Sequence, residues 1–307
     1  MSNRPAKSQT SKLLNKGLAY GFSAYLIWGS FPIFIKSLGF ASPYEVVVWR
    51  ILFGMVLALV LLTASKSWPA AIAVVRDRRL FGLLVLCSAL IYVNWQVYVA
   101  GVAAGQIIES SLGYFINPLV TIVLAVFFRK EKLSRWQWAA VVLGAIAVTI
   151  LTIDYGHLPL IALSLALSFG FYGLVKSQIG GTVSPLIGYS VETALLVPVA
   201  IVQGIVVANG GGLAIGQSGT WSWLGLVLFG FLTAVPLIMF GSAAKYLPLS
   251  WVGFMQYMTP TLQFITALVY FHEEMPPIRW FGFALVWAGL LVLSVGMVSN
   301  RKSAKQL

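Results

Sequence analysis

The stretch SLGYFINPL, residues 111–119, places a tyrosine, an asparagine and a proline inside a run that is otherwise apolar enough to enter a lipid bilayer. Pro118 has no amide hydrogen, so a helix through this run loses its hydrogen bond to the Tyr114 carbonyl and is expected to kink. A carbonyl freed at membrane depth needs another partner, such as the Asn117 side chain, a water molecule or a ligand in a cavity. The stretch therefore predicts either a locally satisfied proline or a hinge beside a solute pathway.

A shift of the sequence against itself by about 142 residues brings a second stretch, MQYMTPTLQ, into register and aligns Pro118 with Pro260. The same shift aligns a set of flanking residues: Glu131 with Glu273, Trp138 with Trp280, and Ser42-Pro43 with Ser184-Pro185. This self-similarity predicts two halves of five helices each, although apolar helices can also resemble one another by chance. Because five is odd, the second half must enter the membrane from the opposite side, which gives an inverted repeat of the kind found in secondary transporters.

The composition is that of a membrane protein. Hydrophobic residues make up 59% of the 307-residue chain, charged residues make up 9%, and the mean hydropathy is +0.90. A soluble domain carries roughly 25% charged residues, so we predict an all-α membrane protein. Ten apolar runs each have a length close to the ~20 residues that a helix needs to cross a bilayer. These runs lie at about 17–38, 43–63, 80–101, 107–128, 135–153, 157–176, 185–208, 221–244, 250–271 and 276–298.

The net charge of +12 could indicate a nucleic-acid partner, but the distribution of the basic residues gives it a simpler meaning. If ten helices alternate, nearly all of the 20 basic residues fall on one side of the membrane, and the exceptions are Lys36, Arg50 and Arg279. The positive-inside rule then places both termini in the cytoplasm. The basicity is therefore predicted to reflect topology, and no nucleic-acid partner is expected.

The predicted organisation leaves little room for a soluble domain. It consists of a basic tail at 1–16, a first repeat at 17–153, a second repeat at 154–298 and a basic tail at 299–307. No cleavage site follows the first apolar run, so we interpret that run as an anchoring helix and not as a signal peptide. The single cysteine, Cys87, excludes an internal disulfide.

Two pairs of charged residues lie inside the apolar runs. Glu45 and Glu109 are each within one turn of a helix end, where a side chain can reach water. Arg50 lies seven residues beyond Pro43, which is ~10 Å along a helix. Glu192 lies at the equivalent position of the second half. An ionised group at that depth is costly and is a functional candidate by default.

We predict that Arg50 and Glu192 line a central cavity. Arg50 would attract an anionic group, and Glu192 would attract a cationic group or a proton. An amphoteric metabolite such as an amino acid would suit both charges. The alternative is that these residues join helices to one another, with Arg50 paired to Glu109.

Aromatic and amide side chains provide further candidates for a binding site. Asn94 and Tyr98 are spaced i, i+4 and share one face of the third helix. Tyr172 lies in the sixth run, and Gln256 and Tyr257 lie in the ninth. Because ligand pockets are mostly apolar with a few polar groups, these residues are expected to line a pocket for an amphipathic organic solute.

No arrangement of residues for catalysis is apparent in the sequence. The two histidines, His157 and His272, fall in short connections, and no metal-ligating or nucleotide-binding motif is present. We therefore expect no enzyme activity, metal or cofactor. A secondary transporter is favoured over a membrane-embedded enzyme, a scaffold or a receptor. Solute flux in proteoliposomes would distinguish these classes.

Several motifs together resemble the RarD subgroup of EamA-type transporters, in the drug/metabolite transporter superfamily. They are NWQVYVAGV (94–102), SSLGYFINPLV (110–120), RKEKLSRWQW (129–138), LALSFGFYGLVK (165–176) and QYMTPTLQF (256–264). The resemblance implies ten helices in two inverted repeats, a bacterial inner-membrane location, and efflux or uptake of metabolites or drugs by alternating access. The subgroup's name is associated with chloramphenicol, and related subfamilies resemble amino-acid exporters. Its motifs contain the candidate site residues Tyr114, Asn117, Pro118, Tyr172, Gln256, Tyr257 and Pro260.

The expected partners follow from this interpretation. They are a small-molecule substrate, the lipid bilayer and, if an intramembrane glutamate carries it, a coupling proton. Each chain contains both predicted repeats and hence a complete pathway. A functional monomer, or at most a weak dimer, is therefore expected.

Overall fold

The computed structural model describes residues 5–130, 132–179, 181–215, 220–247 and 255–303, and within these ranges the chain is helical and forms no strand. The prediction of an all-α protein is confirmed. The helices in chain order are α1 (Pro5–Gly29), α2 (Phe31–Ser37), α3 (Pro43–Ala64), α4 (Trp68–Arg76), α5 (Arg78–Ala103), α6 (Ile107–Arg129), α7 (Arg135–Tyr155), α8 (Leu160–Lys176), α9 (Pro185–Gly211), α10 (Thr220–Tyr246), α11 (Met258–Ile265) and α12 (Pro277–Ser303).

Among the described residues, seven segments are long and apolar enough to cross a bilayer. They are Leu14–Ser37, Pro43–Ala64, Arg78–Ala103, Ile107–Phe128, Arg135–Tyr155, Pro185–Gly211 and Pro277–Gly296. Two shorter apolar segments, Leu160–Lys176 and Trp223–Leu237, coincide with the sixth and eighth predicted spans. The ninth predicted span falls partly outside the described residues. The chain is a multi-pass membrane protein, and the count of ten spans stays a prediction.

Two local features differ from the sequence-based expectation. The first predicted span is divided into α1 and α2 at Ser30, whose hydroxyl donates to the Ile27 carbonyl at 2.8 Å. The connection between the second and third predicted spans, for which no helix was predicted, contains α4. This helix buries Ala71 and Val74 and packs against α5 and α9. It is too short to register in a search for spans of about 20 residues.

The repeated Ser-Pro dipeptides build the same structure at two helix starts. The Ser42 hydroxyl accepts a hydrogen bond from the Glu45 amide at 3.1 Å, and the Ser184 hydroxyl accepts one from the Ile187 amide at 3.4 Å. In each case proline occupies the first helical position, where its missing N–H costs nothing. The aligned dipeptides thus start α3 and α9 in the same way.

Helices that the repeat treats as equivalent pack against each other in opposite directions. Helix α3 lies along α9: a Cβ on Gly54 would be 2.6 Å from the Tyr189 hydroxyl, and one on Gly204 would be 3.4 Å from Val48. The contacting residue on α9 rises in number as that on α3 falls, so the two helices are antiparallel. This is the relation that an inverted repeat requires of its matching helices.

The pair α7 and α12 has the same relation. Glycines on α12 recur at every seventh position and let the two backbones approach closely. The contacts are Gly282 with Leu151, Gly289 with Ala140, and Gly296 with Trp136. Their order is again antiparallel, so this tight pair joins the end of the first half to the end of the second.

Helix α8 lies against both α5 and α6, and this packing builds the candidate site. A Cβ on Gly113 of α6 would be 2.8 Å from the Ala162 carbonyl oxygen, so only glycine allows the observed approach of the two backbones. On the α5 side, the Asn94 amide nitrogen donates to the Leu165 carbonyl at 3.2 Å. Side chains from α5, α6 and α8 therefore meet in one region.

The two aligned prolines occupy different positions in their helices. Helix α6 continues through Pro118, as predicted for an internal proline. Pro260 instead lies in the first turn of α11, after a break in the helix at Gln256 and Tyr257. A proline in a first turn interrupts no hydrogen bond of its own helix, and residues 248–254, which precede this segment, lie outside the described ranges. The kinks at Pro118 and Pro260 both stay predictions.

Candidate functional site

Arg50 of α3 is enclosed by aromatic rings. Its guanidinium carbon lies 4.3 Å from the ring centroid of Trp95, 5.3 Å from that of Phe229 and 5.6 Å from that of Phe31. The residue is 5% exposed. Ring faces stabilise a desolvated cation, although they satisfy none of its N–H groups. Trp95, Phe31 and Phe229 were not predicted, since nothing in the sequence distinguishes these rings from ordinary core residues.

The Arg50 side chain has unused hydrogen-bonding capacity. Its Nε and Nη1 atoms are buried and have no hydrogen-bond partner within the described part of the chain. The alternative partner, Glu109, accepts instead from the backbone amides of Ile161 at 2.9 Å and Ala162 at 3.4 Å. The predicted alternative of an Arg50–Glu109 pair is therefore absent from this structure. A buried donor without a partner is costly, which makes Arg50 unusual among buried polar groups.

Tyrosines surround the guanidinium. Tyr98, Tyr114 and Tyr189 lie close enough to interact electrostatically with Arg50. The rings of Tyr98 and Tyr114 meet edge to face with centroids 5.7 Å apart. The Tyr98 hydroxyl is buried and unpartnered within the described ranges. Tyr189, four residues after Pro185, was missed by the sequence analysis. The structure thus brings Arg50, Tyr98 and Tyr114 into one region.

Asn94 connects these tyrosines to α8. It accepts a hydrogen bond from the Tyr114 hydroxyl at 3.1 Å and donates to the Ser168 hydroxyl at 3.1 Å. Asn117, one turn beyond Tyr114, has a buried Oδ1 atom without a partner among the described residues. No described bond joins Asn117 to the Tyr114 carbonyl, so its expected role of satisfying that carbonyl is not observed.

Glu192 of α9 forms the second charged centre. Lys176 donates to its Oε1 atom, and the Tyr172 hydroxyl donates to Oε2 at 3.1 Å. The Tyr172 ring stacks on Phe169 with centroids 5.8 Å apart, and Phe169 in turn contacts the Tyr114 ring at 6.0 Å. The sequence analysis counted Lys176 only as a topological charge, but here it neutralises the carboxylate that was expected to attract a cation.

Gln256 and Tyr257 immediately precede α11, which contacts both α1 and α6. Gln256 is exposed and Tyr257 is half-buried, and no described hydrogen bond or ring contact joins either to Arg50 or Glu192. The adjoining helix α11 contacts α1, where the Gln263 amide donates to the Trp28 carbonyl at 3.2 Å. The structure therefore shows no direct bond between these two candidates and the charged centres, and their place in a binding site stays a prediction.

Three other glutamates form carboxylate latches, which we define as Glu45, Glu109 and Glu273 bound to backbone amides of a distant segment. Glu45 accepts from Ala214 at 2.9 Å and Ile215 at 3.1 Å. Glu45 is 1% exposed, and Glu109 is also buried. The expectation that Glu45 and Glu109 simply reach water was wrong, because amides at helix and loop ends offer these carboxylates stronger partners.

The Glu273 latch is the most symmetrical of the three. Its two carboxylate oxygens accept from the Ile107 amide at 2.8 Å and the Ile108 amide at 2.9 Å, at the start of α6. A wide π-helical turn at Thr266–Tyr270 and a left-handed His272, with φ of 53°, direct the chain into this position. Burial raises the pKa of Glu273 above its ordinary value of 4.5, although both amide bonds oppose the rise.

Replacing Glu273 with glutamine is expected to destabilise the protein by about 1–2 kcal/mol, because hydrogen bonds to a charged acceptor are lost and the new amide cannot accept at both positions. The measurement is the free energy of unfolding in detergent micelles. The control is Glu274→Gln, the same change at the exposed neighbour. Equal losses in the two variants would contradict the latch.

The described residues contain no group of three or more His, Cys, Asp or Glu side chains that could hold a metal ion. Arg50 and Glu192 are each 5% exposed, whereas the Lys176 side chain that binds Glu192 is 29% exposed.

Several known proteins are similar to this chain over most of its length. Residues 15–153 match the model of the EamA-like transporter family. Protein RarD of Streptomyces exfoliatus is 40% identical over 91% of this chain and 88% of its own. The uncharacterized transporter YojE of Bacillus subtilis (strain 168) is 36% identical over 94% of this chain and 97% of its own. Protein RarD of Escherichia coli (strain K12) is 33% identical over 96% of this chain and 99% of its own. One solved crystal structure shares the fold with a TM-score of 0.60 and 16% identity, covering 92% of this chain and 98% of its own.

Proposed function

The chain belongs to the EamA-like transporter family, within the drug/metabolite transporter superfamily, and from this premise we propose that it is a secondary transporter for a small amphipathic metabolite that carries an anionic group. It carries the solute across the bacterial inner membrane by alternating access. An amino acid, particularly an aromatic one, fits the proposal best. Both termini lie in the cytoplasm.

The main support for this proposal is the unsatisfied hydrogen-bonding capacity of the buried Arg50 side chain. A buried guanidinium with two nitrogens that have no partner among the described residues, held among aromatic rings, is costly. A ligand carboxylate would accept bonds from those nitrogens, and Arg is suited to such planar recognition. The unpartnered Tyr98 hydroxyl adds a further donor beside it. An aromatic ligand ring would find partners among Trp95 and the surrounding side chains.

The Glu192 centre is proposed to bind the opposite end of the solute. In this structure Lys176 pairs with the carboxylate and reduces the cost of burying it. A ligand ammonium, or a coupling proton, would take the place of Lys176. The contacts from Tyr114 through Phe169 to Tyr172 join the two charged centres, which supports one site with two ends.

The helix packing supports alternating access by inverted repeats. The antiparallel pairs α3 with α9 and α7 with α12 are those expected of equivalent helices in two oppositely inserted halves. The three carboxylate latches all join elements of different halves on the side where α3 begins. With cytoplasmic termini that side faces outward, so we propose that this conformation is closed to the outside.

A substrate screen in proteoliposomes tests the proposal. Full-length protein is reconstituted, and the uptake of radiolabelled phenylalanine, phenylalanine methyl ester and chloramphenicol is measured with and without an imposed pH gradient. Saturable uptake of phenylalanine above that of empty liposomes is expected. The ester lacks the carboxylate and should be carried at least ~10-fold more slowly, since a hydrogen-bonded charge pair contributes at least about 1.4 kcal/mol.

Each of the other outcomes would contradict one claim of the proposal. Equal uptake of acid and ester, or preferential uptake of uncharged chloramphenicol, removes the anionic-group requirement. Recovery of a chemically changed solute identifies an enzyme. Binding without flux identifies a receptor or scaffold. Flux that ignores both the pH gradient and the membrane voltage removes coupling to protons.

A further inference from the structure

A groove of about 680 Å³ runs along the membrane-facing surface between α5 and α9 and lies outside the site described above. Its walls are mainly valines of α9, and Tyr44 of α3 closes one end. Val202 is 61% exposed and Val206 is 64% exposed. Exposed valines on a membrane-spanning helix face lipid, so the groove opens sideways into the bilayer.

Polar side chains form the floor of this apolar groove. The Gln96 amide nitrogen donates to the Tyr92 hydroxyl at 3.0 Å and to Gln203 Oε1 at 2.6 Å. Tyr92 also donates to Gln203 Oε1, and Gln203 Nε2 donates to the Tyr44 carbonyl at 2.7 Å. The network therefore ties together α3, α5 and α9 at one point. Two glutamines and a tyrosine on a lipid-facing surface are costly to place there, which makes them a functional candidate.

The network leaves one acceptor and one donor unused. Gln96 Oε1 is covered and has no partner among the described residues. Gln203 Nε2 carries two N–H groups and makes a single described bond. Gln96 lines the groove, and once its terminal amide rotates to uncover Oε1, a hydroxyl or amide group can donate to that atom and accept from Gln203 Nε2. Ester and ether groups only accept, so they cannot satisfy Gln96.

The position of the network identifies the source of the ligand. Gln96 lies seven residues before the end of α5 and Gln203 lies eight before the end of α9, and the exposed Val202 and Val206 flank Gln203 on the same membrane-spanning helix. A molecule that reaches the network through the groove therefore approaches it from the lipid. None of the residues that line the groove is charged. The occupant must therefore be an uncharged amphiphile.

We propose that this groove is a binding site for an uncharged, bilayer-dissolved amphiphile that bears a hydroxyl or amide group, with its apolar part against the α9 valines and its polar group on Gln96 and Gln203. The site acts independently of Arg50, because Gln96 and its neighbour Trp95 point in different directions from α5: Trp95 faces the guanidinium, and Gln96 faces the groove. The proposal therefore does not depend on the transport activity proposed above.

Photolabelling in lipid nanodiscs tests the site without any measurement of flux. The probe is a trifluoromethyl-diazirinyl benzyl alcohol, and its methyl ether is the matched probe without a donor. Labelled peptides are quantified by mass spectrometry. Insertion into residues 199–207 is compared with insertion into residues 291–295 of α12, which carry the similarly exposed Leu291 and Val295. These control residues report ordinary contact with a probe dissolved in lipid.

The alcohol is expected to label the groove about fivefold more than the control segment, and the ether to label both equally, as the loss of one buried hydrogen bond predicts. Gln96→Leu should reduce alcohol labelling to the level of the ether. The comparison of the two probes on the unmodified chain holds even if that variant misfolds. Equal labelling of groove and control by the alcohol, or equal groove labelling by alcohol and ether, would mean that lipid alone fills the groove, and would overturn the proposal.

Discussion

Replacing Arg50 with methionine is expected to reduce solute uptake in proteoliposomes by at least ~30-fold, because truncating one partner of a buried charge pair costs about 2–5 kcal/mol. Arg50→Lys keeps the charge but loses the planar fork and the flat surface that stacks on Trp95, so most of the loss should remain. The measurement is the initial rate of uptake at a solute concentration below saturation.

Two comparisons separate this effect from misfolding. Arg76→Met removes an exposed arginine at the end of α4 and should leave uptake unchanged. The Arg50 variants should insert and elute from a sizing column like the parent chain. Loss of an unpartnered buried cation can even raise their stability. Full uptake by a well-folded Arg50→Met protein would exclude this residue from the pathway.

Replacing Lys176 with methionine is expected to destabilise the protein by about 3 kcal/mol, because it leaves the Glu192 carboxylate buried without its cation. Adding Glu192→Gln in the same chain should restore most of the loss, since a neutral amide can still bond to the Tyr172 hydroxyl. The measurement is unfolding by sodium dodecyl sulfate titration in mixed micelles. The deficit of the single variant should shrink in acidic buffer, where a protonated Glu192 is neutral.

The matched control for this pair is Lys66→Met, which removes an exposed lysine from the connection between α3 and α4. It should change stability by less than about 0.5 kcal/mol. If the double variant is as unstable as Lys176→Met alone, the buried charge is not the cause of the loss, and Lys176 contributes through packing.

Periodicity and length predicted the parts of the fold that depend on local sequence. The all-α class and the starts of α3 and α9 follow from apolar runs and from the Ser-Pro dipeptides, whose physics lies within a few residues. The short helix α4 and the break before α11 could not be predicted in this way. Their boundaries depend on packing against α5 and α9, or on residues far along the chain.

The candidate site was predictable only where one helix carries the signal. Asn94 and Tyr98 share a face of α5, and both face Tyr114 as the i, i+4 spacing indicates. The partners of the glutamates were not predictable, because a backbone amide has no signature in the sequence. Lys176 was counted only as a topological charge because it ends a predicted span. Its long side chain nevertheless reaches Glu192 inside the protein.

The carboxylate latches bind amide groups that every residue except proline possesses. Each latch is therefore encoded at one position, the glutamate, while its partner positions are free to vary in side chain. Saturation mutagenesis of Ile107 and Ile108 should tolerate many residues of similar volume, and proline alone would remove a bonding partner of Glu273. Selection can thus change the side chains of these segments without losing the contacts that join them.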